Sequence, residues 1–141
     1  MTRKPLNIPI LEEVAQWLES GAPHTQQHPF SFDMSYFYRE TDCGSAACIA
    51  GAVVQFANKV DLSTLTQVDI LAQARNIINL TYQEADELFA PADESDQLNE
   101  YEVQHESISP QWAARTIRHL IATGNIDWPL NTDIELSYDY V

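Results

Sequence analysis

The sequence predicts a mainly α fold, about five helices gathered round one buried central helix, with short irregular or β pieces between them. Three observations carry this. Apolar residues recur at helical spacing in several segments, and two segment starts have side-chain capping signatures. The stretch at 45–58 is apolar on nearly every face, as a helix in the middle of a core must be.

The elements follow in order. Over 9–20, Ile10, Leu11, Val14, Trp17 and Leu18 fall on one helical face, and Gly21 offers a stop. Residues 22–32 contain Pro23 and Pro29 among polar residues and read as a loop. Phe30, Phe32, Tyr36, Phe37 and Tyr38 then crowd together, a pattern for a short strand or an extended segment laid on the core. The central helix is placed at 45–58, from Ser45 to Asn58, and a third at 67–80 through Val68, Leu71, Ala74, Ile77 and Ile78. Thr81-Tyr-Gln-Glu84 is a capping box: the hydroxyl caps an end amide while Glu84 reaches back to Thr81. It opens a short helix through Ala85, Leu88 and Phe89 that Pro91 ends. Ser109-Pro110 is an N-cap followed by proline at the first helical position, and it starts a last helix that meets Gly124. The expected organisation is one helical domain over 1–130 and an acidic, tyrosine-containing tail over 131–141.

Composition narrows the function classes. At 45% hydrophobic and 10% aromatic, the 141 residues are too apolar for a disordered chain. Seven Lys+Arg against 21 Asp+Glu, a formal net charge of −14, argues against general affinity for DNA, RNA or an anionic membrane, which needs cations to neutralise phosphates. Arg3 and Lys4 are followed by Pro5, Asn7, Pro9, Glu12 and Glu13, so no apolar signal region forms. The chain contains no run of apolar residues of membrane-spanning length. Its two cysteines, Cys43 and Cys48, then read as reduced thiols, and the cytoplasm as the expected compartment.

The charge is lopsided. Residues 1–83 hold 8 acidic and 5 basic side chains, whereas 84–141 hold 13 and 2. The densest run is Glu84, Asp86, Glu87, Asp93, Glu94, Asp96, Glu100, Glu102 and Glu106, with no Lys or Arg between them. Such a run is either a solvated surface that keeps the protein soluble, or a docking face for a basic protein. The second reading makes the chain a non-enzymatic binding module without a cofactor. It would be an inhibitor or immunity-type protein that occludes a basic or nucleic-acid-binding target, its carboxylates standing in for phosphates. Tyr138 and Tyr140 in the tail would join that face, tyrosine being enriched at interfaces. Tyr36 and Tyr38 are open to the same reading, while Trp17, Trp112 and Trp128 read as core, Trp128 as a lid after the Gly124 stop. Asp93-Glu-Ser-Asp96 lacks the glycine of a calcium-binding EF-hand loop.

A competing class is a hydrolase or transferase. Cys43-Gly44 precedes an apolar helix, where end amides would stabilise a thiolate, and such a nucleophile needs an imidazole base, His105 or, second, His119. The plainer reading has Cys43 capping the turn and Cys48 filling the core. The pairs His24/His28 and Cys43/Cys48 also have spacings that a zinc site allows, in the reverse of the usual finger order.

Phe32-Asp-Met34, Cys43-Gly-Ser-Ala-Ala-Cys48-Ile-Ala-Gly51, Glu84-Ala-Asp-Glu-Leu-Phe89, residues 113–119 and Thr123-Gly-Asn-Ile-Asp127-Trp128 together carry a resemblance. The chain resembles a group of small bacterial and phage proteins of no established activity. There, FNM, CGTxxCIAGWA, LF and TGxVDW segments recur in this order. The likeness covers about residues 30–128 and departs at Asp33, Ser45 and Ala52, where that group has Asn, Thr and Trp. It implies a shared compact fold and assigns no chemistry; phage carriage would suit a small acidic inhibitor.

Overall fold

Five helices each begin on a side-chain cap in the computed structural model, which describes residues 4–24, 30–41, 44–93, 96–101 and 103–132. Helix α1, Ile8–Glu19, starts where the Asn7 side chain accepts from the Ile10 amide. Helix α3, Gln67–Ile78, opens with a capping box of Thr66 and Asp69, and α4, Tyr82–Phe89, with the one expected from Thr81 and Glu84. Helix α5, Pro110–Thr123, is capped by Ser109 and ends on Gly124 at φ +79°, the left-handed turn that glycine adopts without strain. The protein is mainly α, as its sequence pattern predicts.

The central helix departs from the expected bounds. Helix α2 is Ile49–Asn58, and the residues before it form a strand. Strands β1 (Ser31–Phe32), β2 (Tyr38–Thr41) and β3 (Gly44–Ala47) make a small sheet in the order β1-β3-β2. β3 pairs parallel with β1 and antiparallel with β2, Tyr38 facing Ala47 and Arg39 facing Ala46. Alanine favours helix by only a few tenths of a kcal/mol over most residues, so backbone pairing on both edges outweighs it here. Cys48 then becomes the N-cap, its Sγ accepting from the Ala50 amide at 3.2 Å. Cys48 thus caps α2 as well as filling the core, and Cys43 lies outside the described residues.

One core runs through all of these elements. α1 packs most extensively on α5 and α2 on α3, and residues 49–54 of α2 are all buried. Trp17 meets Phe30 and Phe56 edge-to-face at centroid distances of 5.2 and 5.6 Å, which seats the aromatic segment on the core as the sequence pattern allows. Arg118 of α5 clasps Glu19 of α1 at 2.9 Å and Glu12 at 2.5 Å. That partnership holds the Glu19 carboxyl below its usual range. Among the described residues no helix is long and apolar enough to cross a membrane.

Gly51 sets the distance between α2 and the segment entering β2. A Cβ there would stand 2.2 Å from the Phe37 carbonyl oxygen and 2.8 Å from the Ala47 Cβ. Neither neighbour is the free end of a long side chain, so backbone would have to move. Gly51→Ala gains up to about 1 kcal/mol in helix propensity, while the forced shift costs about 1–3 kcal/mol or more. The expected outcome is a net loss of about 2 kcal/mol, read as a lower midpoint in urea unfolding with an unchanged slope.

Candidate functional site

The sequence-predicted acidic residues divide when placed in space. Glu84, Asp86 and Glu87 lie on α4, a helix closed by Ala90, whose amide donates to the Asp86 carbonyl. After α4 the chain turns at Pro91 and returns, the Leu98 amide bonding the Pro91 carbonyl at 2.8 Å, so Asp93 and Asp96 come back beside the helix. Glu87 is pushed above the usual carboxylate range by burial and by the charges of Glu84 and Asp96. Asp96 is pushed up by burial, then by Asp86 and Asp93, with His105 acting in the opposite direction. Five carboxylates from α4 and its following turn therefore share one corner of the molecule.

Other candidates stand differently. Glu106 is exposed and accepts from the Ser35 hydroxyl at 3.2 Å, facing the segment between β1 and β2. Glu100 belongs to a 3₁₀ turn, Asn99–Tyr101, whose Glu100 side chain lies outside the described residues. Glu94, Glu102, Tyr138, Tyr140, Cys43 and His28 also lie outside the described residues. Tyr36 sits at the surface, and Tyr38 turns its hydroxyl to Ser45 at 3.2 Å.

A tryptophan junction that the acidic pattern does not reveal holds this corner. Trp128 is fully buried, its Nε1–H donating to the carbonyl of Glu87 at 2.8 Å. Its backbone amide donates to Gln97 Oε1 at 2.8 Å, and Gln97 Nε2 donates to the Ile126 carbonyl at 2.6 Å. Trp112 completes the knot, donating Nε1–H to the Trp128 carbonyl at 2.8 Å with the rings edge-to-face at 6.0 Å. The lid expected at Trp128 is thus also a clamp on the acidic turn. Gln97, next to Asp96, is a positioning residue that sequence reasoning missed. No local pattern distinguishes one polar residue within a charged loop.

The residues of the competing readings are also placed. His105 Nε2 accepts from the Ala92 amide at 3.0 Å, so the proton of the neutral ring sits on Nδ1 and its basic lone pair is occupied. His119 is half-buried on α5. Cys48 is a free thiol sealed in the core, pushed up to about 12 chiefly by burial, whereas His24 is exposed on the loop after α1. Among the described residues, no group of three or more His, Cys, Asp or Glu side chains is arranged to hold a metal ion.

Comparison of the chain with family models, with curated proteins and with solved structures finds no match. The site is therefore read from its own geometry.

Two outcomes follow from that geometry. The folded protein holds protons on Glu87 and Asp96 at a pH where the unfolded chain has released them, so stability falls as pH rises through the folded values. Asp96→Asn and Glu87→Gln should each raise the melting temperature at pH 7. The gain should vanish below about pH 4, the ordinary carboxylate range. Gln97→Ala removes two hydrogen bonds of about 1 kcal/mol each. It should lower stability by about 2 kcal/mol and speed amide exchange selectively over residues 96–101.

Proposed function

We propose that the protein is a non-enzymatic binding module that docks a basic protein through its acidic corner. By occupying a nucleic-acid-binding or otherwise cationic surface, it would act as an inhibitor of its target, with the cytoplasm as the setting. The observation that carries this reading is the convergence of Glu84, Asp86, Glu87, Asp93 and Asp96, where burial and then the neighbouring carboxylates raise Glu87 and Asp96. Like charges held together against burial destabilise a fold, and such violations of local consistency concentrate at functional sites. Relief of that repulsion on meeting Lys or Arg adds to the attraction, and the field steers the encounter.

A local site is distinguished from net charge alone by two variants of equal charge. Asp93→Asn/Asp96→Asn removes two carboxylates of the corner; Glu13→Gln/Asp61→Asn removes two exposed ones elsewhere. Binding of a short oligoarginine peptide at physiological ionic strength is the measurement. Two charge contacts at roughly 0.5 kcal/mol each weaken the first variant about fivefold. The second should lose less than twofold. Equal losses, or none in the first, would overturn the proposal.

A further inference from the structure

Beside the acidic corner lies a pocket of about 240 Å³ between residues 34–37, the start of α3, the end of α4 and His105. Small-molecule sites usually run from about 300 to 1,000 Å³, so this one is sized for a single side chain. Its apolar surface comes from buried Met34 and Phe89 and half-buried Phe37. Most of the polar groups around it already have partners. Gln67 donates to the Tyr38 carbonyl at 2.9 Å and accepts from the Tyr38 amide at 3.4 Å, while His105 is held by the Ala92 amide. The Ser35 hydroxyl is given to Glu106. At the pocket's edge stands the exposed carboxylate of Asp93, an acceptor with the charges of Asp96 and Asp86 close by.

We propose that this pocket takes an arginine side chain of the basic partner; this rests on the docking function proposed above and names the residue that anchors it. An apolar floor with the Asp93 carboxylate at its edge is the complement of an aliphatic stem ending in a cation. Arginine is favoured over lysine because its planar fork binds a carboxylate through two parallel hydrogen bonds and stacks on aromatic rings. The chain itself sets a guanidinium against this rim, Arg39 lying over the Tyr36 ring at 4.6 Å from its centroid. Partner, pocket and acidic corner then form one interface, in which Asp93 meets the anchor and the neighbouring carboxylates meet flanking cations.

The test uses the full chain with oligoarginine and oligolysine peptides of equal length. Oligoarginine should bind at least fivefold more tightly than oligolysine and shift the His105 and Phe89 ring resonances of the wild-type protein. Ala90→Leu, which fills the pocket without changing charge, should abolish that preference. Equal affinity for the two peptides, or unmoved His105 and Phe89 resonances at saturation, overturns the pocket, and the resonance measurement does not depend on any variant folding. If the pocket fails in this way while Asp93→Asn/Asp96→Asn still weakens oligoarginine binding, the acidic docking function stands without an arginine anchor. If that double variant binds as the wild type does, the docking function itself fails.

Discussion

The constraint on which the acidic corner depends is the hydrogen bonding of one indole. Trp128 donates to the last turns of α4 at Glu87 and receives Trp112 at its own carbonyl, and its amide is held by Gln97. A buried N–H or C=O left without a partner costs about 1–3 kcal/mol, so these bonds are strongly interdependent. They tie α4, the turn after it, the start of α5 and the segment beyond Gly124 into one unit. That unit reinforces the local turn, closed by the Leu98 amide on the Pro91 carbonyl, that brings Asp93 and Asp96 back beside the carboxylates of α4. The apolar junction beneath is what makes a concentrated negative surface stable.

A second constraint works at the opposite side of the pocket. Gly51 lets the Phe37 backbone rest directly on α2, and the segment between β1 and β2 places Met34, Tyr36 and Phe37 in the pocket wall. Gln67 then binds both backbone groups of Tyr38, so α3 holds β2 at the same place. The pocket wall is thus supported by helix, sheet and side chain together. This arrangement suits recognition, since a preorganised wall loses less conformational entropy when something binds it.

Charge is distributed according to two different logics. Between α1 and α5, Arg118 joins Glu12 and Glu19, and its cation lowers the Glu19 carboxyl. Around α4, burial and neighbouring carboxylates outweigh the opposing effects of His105 on Asp96 and of Gln83 on Glu87, and both groups are raised. The first arrangement favours the folded state at neutral pH and weakens in acid; the second opposes it at neutral pH and is relieved in acid. A partner carrying arginine and lysine would convert the second logic into the first.

Much of this could be read from the chain alone. The helix starts at Thr81 and Ser109 were legible because a capping box and a Ser-Pro pair act through neighbouring residues, and α4 and α5 begin there. The face of α1 and the burial of Trp17, Trp112 and Trp128 follow from periodicity and area, which are likewise local. The strand at Gly44–Ala47 was not legible, since its small residues suit a helix and only pairing on both edges makes them a strand. Gln97 was hidden for the same reason: its partners are 29 and 31 positions away. Sequence by itself determined the helical class, the caps and the excess of negative charge, because those depend on composition and near neighbours. Tertiary structure alone decided that the carboxylates of α4 and its turn meet beside a pocket, because that meeting is set by a tryptophan and a glutamine acting across distant parts of the chain.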